Sequence, residues 1–232
     1  LCVGKEITWT FLTDVISQLA ALTPGPWIHI GGDESSATKT SDYIAFINQA
    51  SAIVAATGKS VMGWHDIGWA TELPSGTIGE YWDYTTPRGG SAVLTENIIY
   101  AGGQLVMAPA NVAYLDQKYD LSERIGTRWA EAPLTLEEAY GWDPAAIFPD
   151  RGEDTILGVE APLWTETIRT MADIEYMAFP RIVAIAEIGW MQKDTRQFED
   201  FATRLATFGV YLDSSGIGFN RTPGVPWLKA SP

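Results

Sequence analysis

Short apolar segments of strand length alternate with longer segments in which apolar residues recur at helical spacing. The strand-length segments lie at 27–30, 60–64, 77–82, 104–107 and 155–160, and the helical ones at 7–22, 41–57, 89–101, 172–188 and 195–212. A polar stretch at 109–154 separates the last two predicted strands. This alternation predicts βαβ units with a parallel sheet. No linker or low-complexity segment interrupts it, so residues 1–232 are expected to form one α/β domain.

Charge and composition exclude several classes of partner. The formal net charge is -14, which disfavours binding to nucleic acid or to an anionic membrane surface. No apolar run is long enough to cross a bilayer. One cysteine, Cys2, and two histidines make a structural zinc site improbable. We therefore expect a soluble protein with a neutral substrate, no cofactor and no metal, and both a secreted and a cytoplasmic location remain open.

The first predicted strand ends in two adjacent carboxylates. The segment WIHIGGDE, 27–34, places Asp33 and Glu34 directly after Gly31 and Gly32. Glycines let the backbone turn at a strand end without side chains that obstruct a pocket. Neighbouring acids repel each other, so the pair is either built for chemistry or belongs to an ordinary acidic loop.

Polar and aromatic residues follow every predicted strand. The residues concerned are Asp33, Glu34, Trp64, Trp82, Tyr114, Asp116, Trp164 and Glu166. In a (β/α) barrel the active site is built at the C-terminal ends of the strands, so these side chains are expected to converge there. The chain also has 10 tryptophans, and flat apolar rings that carry an N–H group suit a sugar site as well as a core.

Six motifs in this order resemble one enzyme family. They are HIGGDE at 29–34, GW at 63–64, YW at 81–82, YLD at 114–116, GWDP at 141–144 and LWTE at 163–166. The series resembles the catalytic domain of family 20 glycoside hydrolases, the β-N-acetylhexosaminidases. The resemblance covers nearly the whole chain and implies a (β/α)8 barrel of the TIM type that removes terminal, β-linked N-acetylglucosamine or N-acetylgalactosamine from glycans or chitooligosaccharides.

The resemblance also implies a mechanism in which the substrate assists. Glu34 would be the general acid, and Asp33 would orient the acetamide N–H of the substrate. The acetamide oxygen would attack the anomeric carbon with overall retention, in place of an enzyme nucleophile. Tyr114 would donate a hydrogen bond to that oxygen and so position it.

The remaining site residues are carried over from the resemblance one at a time. Trp64, Trp82 and Trp164 resemble the aromatic walls of the acetamide pocket and sugar floor, against the alternative of core packing. Asp116 and Glu166 resemble acceptors for ring hydroxyls, against the alternative of solvated acids. Trp142 resembles a loop residue near the leaving group. We expect His29 to be a core or supporting histidine, assign no role to His65 and Asp66, and expect Glu80 and Asp83 at the surface.

The count of strands does not match a complete barrel. Five strands are predicted and the family has eight, and by resemblance HIGGDE corresponds to the fourth. The chain would then supply the part from strand 4 to helix 8, lacking the first three β/α units and an arginine that clamps sugar hydroxyls; neither Arg88 nor Arg169 lies in a matching motif. Its open sheet edge would be covered by the missing N-terminal segment or by a second copy. A catalytically inactive glycan-binding protein and a structural fragment stay open as alternatives.

Overall fold

The computed structural model describes residues 1–131 and 133–228, which form helices and strands in the predicted alternation. In chain order these are α1 (Glu6–Leu22), β1 (Trp27–His29), α2 (Thr40–Ala56), β2 (Ser60–Trp64), β3 (Ile78–Tyr81), α3 (Ser91–Tyr100), β4 (Gln104–Met107), α4 (Ala110–Ala113), α5 (Leu136–Gly141), α6 (Pro144–Ile147), β5 (Ile156–Val159), α7 (Met171–Ala178), α8 (Arg181–Trp190) and α9 (Phe198–Ser214). Short 3-10 helices occupy His65–Trp69, Glu153–Thr155 and Lys193–Thr195.

The strands form one sheet in the order β1-β2-β3-β4-β5. The first three pairings are parallel, with Ile28 opposite Val61, Gly63 opposite Gly79, and Leu105 opposite Gly79 on its other side. Sequence order and spatial order coincide, as expected when each strand is followed by a helix that returns the chain. The prediction of a parallel sheet is confirmed, and each strand begins and ends within one residue of its predicted bounds.

The structure differs from the predicted elements at two places. No helix or strand was predicted in the polar stretch 109–154, but it contains α4, α5 and α6. The prediction of one helix over 172–188 is wrong, because α7 ends at Ala178 and α8 begins at Arg181. Pro180 lies between them, and proline has no N–H group to donate to the preceding helical turn.

Contacts divide the chain into two compact units. The first unit comprises Leu1–Trp82, Pro87–Met107 and Arg151–Leu157, and the second comprises the remaining described residues. In the first unit, apolar side chains of α1, α2 and α3 pack with β1 and β2 around a core that includes Ile16, Ile28, Ile47, Val54, Val61 and Ile98. Gly58 follows α2 with a φ of 81°, the left-handed conformation predicted for the residue after this helix.

The second unit has its own core, built from helices. Side chains of α5, α8 and α9 form a buried cluster that includes Leu136, Tyr140, Ala184, Phe201 and Leu205. A smaller cluster joins Ile125, Ile168 and Met177 of α7. Among the described residues, no helix is both long and apolar enough to span a membrane.

Candidate active site

The glycines before the acid pair form a tight turn at the end of β1. Gly31 and Gly32 have φ values of 72° and 109°, and Glu34 itself has a φ of 50°. A non-glycine residue in this region is uncommon and is found where the surrounding structure enforces it. A Cβ on Gly32 would lie 2.6 Å from Cγ2 of Ile67, so only glycine fits there.

Three hydrogen bonds hold this turn. The backbone N–H of Trp64 donates to the carbonyl of Gly31 at 3.0 Å, and the Tyr43 hydroxyl donates to the carbonyl of Gly32 at 2.6 Å. The N–H of Gly31 donates to Nδ1 of His29 at 3.1 Å. The turn that carries the carboxylates is therefore fixed from β1, β2 and α2.

Asp33 and Glu34 lie at the surface of the first unit, with exposed side chains. Glu34 lines a cavity of about 280 Å³ together with Tyr43, Asp66 and Trp69. Burial, followed by the negative charges of Asp66 and Asp33, raises the pKa of Tyr43 above its ordinary value. Tyr43 therefore remains a hydroxyl donor beside the acid pair at any ordinary pH.

The two tryptophans predicted for the first unit lie on neighbouring strand ends. Trp64 ends β2, and its ring lies 5.3 Å from that of His29 at an interplanar angle of 74°. Trp82 follows β3; its Nε1–H donates to Oδ2 of Asp66 at 2.8 Å, and its backbone N–H donates to Nδ1 of His65 at 3.4 Å. His65 and Asp66, to which no role was assigned from the sequence, thus orient Trp82.

Two acids beside Trp82 differ from their prediction. Glu80 and Asp83 were expected at the surface, but only 2% and 9% of their surfaces are exposed. Glu80 lies in β3 opposite Trp64, where its Oε2 is 3.2 Å from Nε2 of His29. The sheet pairing buries Glu80, and a pattern of single residues along the chain could not show that.

The second unit holds Tyr114 in an aromatic group. Tyr114 is buried, and its ring lies 5.5 Å from Trp129 in an edge-on arrangement and 6.4 Å from Trp164. Trp129 and Trp164 are both exposed, at 48% and 42%. The sequence analysis assigned nothing to Trp129, because it lies inside the polar stretch and outside the recognised motifs. An exposed indole beside Tyr114 suits contact with a sugar face.

Asp116 is buried two residues beyond Tyr114. Its Oδ2 accepts hydrogen bonds from Oγ1 of Thr127 at 2.7 Å and from Nε2 of Gln117 at 3.3 Å. Burial raises the pKa of Asp116, the hydrogen bond from Thr127 lowers it, and the negative charge of Glu166 raises it further. Its Oδ1 is buried with no hydrogen-bond partner among the residues that the structure describes, and a backbone hydrogen bond from Trp164 also lowers the pKa of this carboxyl.

Trp142 has a different environment from the other predicted tryptophans. Only 7% of its surface is exposed, and it borders a cavity of about 480 Å³ with Asn111, Glu138 and Asp143. Its carbonyl accepts a hydrogen bond from the buried Arg196 at 2.9 Å. The part assigned to Trp142 near the leaving group stays a prediction.

The predicted residues thus fall into two sets, one in each unit. The first unit holds Asp33, Glu34, Trp64 and Trp82, and the second holds Tyr114, Asp116, Trp142, Trp164 and Glu166. Within residues 1–131 and 133–228, no group of three or more His, Cys, Asp or Glu side chains is placed to hold a metal ion. Each set combines carboxylates with aromatic rings, the chemistry that recognises hydroxyl groups and apolar faces of a sugar.

Comparison with known proteins identifies the family. The family model of the glycosyl hydrolase family 20 catalytic domain matches residues 35–193. The Beta-N-acetylhexosaminidase of Cellulomonas fimi is 36% identical over 220 residues, which are 95% of this chain and 43% of that protein. The chain therefore spans less than half the length of this curated relative.

Solved structures give the same result. The Streptomyces plicatus N-acetyl-beta-hexosaminidase in complex with Thio-NAglucal superposes with a TM-score of 0.92 and 40% identity, over 98% of this chain and 45% of that one. A mutant of that enzyme was solved with the product GlcNAc. These structures are TIM-barrel enzymes, and the family resemblance drawn from the six motifs is confirmed. This chain belongs to glycosyl hydrolase family 20.

Proposed function

We propose that the protein to which this chain belongs is an exo-β-N-acetylhexosaminidase that releases terminal β-linked GlcNAc or GalNAc with retention. One observation carries the proposal: in a family 20 chain, Asp33 and Glu34 are presented on a rigid glycine turn at the carboxyl end of a parallel strand. That is the end at which barrel enzymes build their active sites. The chain also spans less than half the length of the curated relatives that it matches, so the activity is proposed for the whole protein.

The adjacent carboxylates suit a mechanism that needs no enzyme nucleophile. Glu34 donates a proton to the glycosidic oxygen while the substrate acetamide oxygen attacks the anomeric carbon and displaces the leaving group. Asp33 accepts a hydrogen bond from the acetamide N–H and offsets the positive charge that develops on the cyclic intermediate. Glu34, now a carboxylate, takes a proton from the incoming water, which opens that intermediate with retained configuration.

The second set of residues is proposed to bind the rest of the sugar. Tyr114 donates to the acetamide oxygen and aligns it for attack. Trp64, Trp82 and Trp164 are each proposed to contact the acetamide group or the sugar ring. Asp116, with its unpartnered buried Oδ1, accepts from one ring hydroxyl and Glu166 from another. Trp142 lies near the leaving group.

We further propose that this chain supplies the part of the barrel from its fourth strand to its eighth helix, within one catalytic domain. β1 is the first strand of the sheet order, and its outer residues Trp27 and His29 are exposed. A strand of the N-terminal part of the catalytic domain, or of a second copy of the chain, would satisfy this edge. The arginine that clamps sugar hydroxyls would come from that added part.

The test is hydrolysis by the purified chain of two β-N-acetylglucosaminides, the 4-nitrophenyl one and one with a poor leaving group, and the Glu34→Gln variant on the second substrate excludes a contaminating enzyme. Two results would support the proposal. An N-acetylglucosamine thiazoline should inhibit turnover, and Glu34→Gln should lower turnover of a substrate with a poor leaving group about 100-fold or more. 4-Nitrophenol is an activated leaving group that needs little protonation, so hydrolysis of the 4-nitrophenyl substrate by the Glu34→Gln variant should fall much less.

The same assay separates the alternatives. Thiazoline binding without turnover, measured by calorimetry, would indicate a catalytically inactive glycan-binding protein. If neither binding nor turnover is seen, the assay is repeated on a fusion. In this fusion, the N-terminal part of the barrel of the Cellulomonas fimi relative precedes the chain. Inactivity of that complete barrel would contradict the proposed function.

A further inference from the structure

Glu80, a buried acid of β3, contacts His29, which is exposed at the end of β1. Oε2 of Glu80 lies 3.2 Å from Nε2 of His29, and only 2% of the Glu80 surface is exposed. Its other oxygen, Oε1, has no hydrogen-bond partner in the described part of the chain. A buried carboxylate is stabilised only when it accepts hydrogen bonds, so Nε2 of His29 must carry a proton to donate to Glu80.

The other nitrogen of His29 faces a donor. The backbone N–H of Gly31 points at Nδ1 at 3.1 Å, so Nδ1 must act as an acceptor. A neutral imidazole offers one donor and one acceptor. Both contacts are satisfied when the proton is on Nε2. The opposite tautomer would set two N–H groups against each other on the Gly31 side.

We propose that His29, held by Glu80 as the Nε2–H tautomer, is a positioning residue that fixes the glycine turn and thereby aims Asp33 and Glu34. The effect of His29 on catalysis rests on the proposed function, whereas its tautomer and its hydrogen bond to the turn do not. The partner of one imidazole nitrogen determines what the other can do, so Glu80 acts on the Gly31 amide through the ring of His29.

His29 holds the turn in a way that the other contacts do not. Tyr43 donates to the carbonyl oxygen of Gly32 and Trp64 to that of Gly31, whereas His29 accepts from an amide. The ring of His29 also packs near-perpendicular to Trp64, with 5.3 Å between centroids, so that its orientation is fixed by an aromatic neighbour and by Glu80. Gly31 is only two residues from Asp33, and a rotation of its peptide plane would move both carboxylates.

The tautomer is directly measurable by nitrogen NMR. The chain has 2 histidines, so labelling with 15N-histidine gives two sets of ring signals, and the His29→Asn variant assigns them. From the two contacts we expect the proton on Nε2 of His29 and none on Nδ1. A protonated Nδ1 on His29 in the folded chain would overturn the proposal.

Two variants remove the contacts of the two imidazole nitrogens one at a time. In His29→Asn the amide oxygen takes the place of Nδ1 and keeps an acceptor for Gly31, but the contact with Glu80 is lost. In His29→Gln the amide reaches the place of Nε2 and keeps a donor for Glu80, but the acceptor for Gly31 is lost. The Gly31 amide resonance should stay near its wild-type position in the first variant and shift in the second.

Kinetics on two substrates test the effect on the acid. His29→Gln should lower kcat on a substrate with a poor leaving group about 10- to 100-fold, with a much smaller loss on the 4-nitrophenyl substrate and little change in KM. His29→Asn should lose clearly less than His29→Gln. Val54→Ala, which destabilises the core of the same unit away from the turn, should lower the melting temperature without changing the ratio of the two rates.

The outcomes separate this inference from the proposed function. Suppose that the wild-type chain turns over substrate, and that His29→Asn and His29→Gln lower kcat equally and shift the Gly31 amide resonance equally. The inference is then overturned and the proposed function stands. If the complete barrel is inactive while the Gly31 amide shifts only in His29→Gln, the proposed function fails and the tautomer-dependent hold on the turn is supported.

Discussion

The two segments that carry the predicted site residues are built in opposite ways. In the first unit, Asp33 and Glu34 are exposed side chains on a turn that requires two glycines, with φ values of 72° and 109°, and that Tyr43 and His29 help to hold. In the second unit, Tyr114 and Asp116 are buried side chains on a loop that takes its shape from other side chains.

The second segment is held by a buried cation. Arg181, at the start of α8, has no exposed surface and donates to the carbonyls of Leu115 at 2.7 Å and Leu134 at 3.2 Å. Its guanidinium also lies 3.7 Å above the ring centroid of Tyr119. Leu115 is the residue between Tyr114 and Asp116, so one side chain fixes the backbone of both.

The difference has a practical meaning for mutation. A turn held by glycine conformation is sensitive to any added Cβ, while most exposed side chains on it are replaceable without loss of stability. A loop held by one buried guanidinium depends on that group, because its removal leaves several carbonyls without a donor. The two segments should therefore fail through different substitutions.

The largest expected loss of stability is that of Arg181→Met. The carbonyls of Leu115 and Leu134 would be left buried without a donor, at about 1–3 kcal/mol each, and the contact with Tyr119 would weaken. Arg124→Met is the control, since the Arg124 side chain is 82% exposed and its Nη2 lies 3.5 Å from Oδ1 of Asp173; it should cost less than about 1 kcal/mol. Urea unfolding followed by circular dichroism measures both. Equal losses would contradict the view that Arg181 holds the loop.

A smaller loss is expected for Gly32→Ala in the other segment. The positive φ costs about 1–2 kcal/mol for a residue with a Cβ, and the 2.6 Å approach to Ile67 adds about 1–3 kcal/mol of overpacking. Gly58→Ala is the matched control, because Gly58 has a φ of 81° with nothing within 4 Å of an added Cβ. Thermal unfolding should show a clearly larger loss for Gly32→Ala, and an equal one would mean that Ile67 moves aside freely.

The sequence predicted the first segment better than the second. The glycine pair, the acid pair and the strand before them are neighbours along the chain, so periodicity and one motif revealed them together. Strand bounds were predictable for the same reason, since each strand is one local apolar run. The break between α7 and α8 also had a local signal, Pro180, whose effect was underestimated.

What the sequence could not show are contacts between remote residues. Arg181 and Leu115 are 66 positions apart, and the burial of Glu80 depends on the pairing of β2 with β3. Trp129 lies in no recognised motif, and only its distance from Tyr114 places it beside predicted site residues. Tertiary contacts of this kind decide the environment of a side chain, and no local pattern encodes them.

The smallest expected effect, Asp116→Asn, sharpens the comparison through pH. The folded-state pKa of Asp116 is raised above its ordinary value of 3.8, first by burial, so the folded chain binds this proton more tightly than the unfolded chain. The resulting stabilisation is fully present below the ordinary pKa and is lost as the pH rises through the raised one. The Asp116→Asn variant keeps an oxygen acceptor for Thr127 and carries no charge at any pH.

The variant should therefore gain stability relative to the wild-type chain as the pH rises from acidic to neutral, as measured by urea midpoints across that range. Thr127→Val removes the hydrogen bond that lowers the pKa of Asp116, so in that background the gain from Asp116→Asn should be larger. A wild-type chain that instead becomes the more stable of the two toward neutral pH would mean that hydrogen bonds outweigh burial at Asp116. The carboxylate of Asp116 would then be favoured in its charged form, and its hydrogen-bond donors would hold the loop together with Arg181.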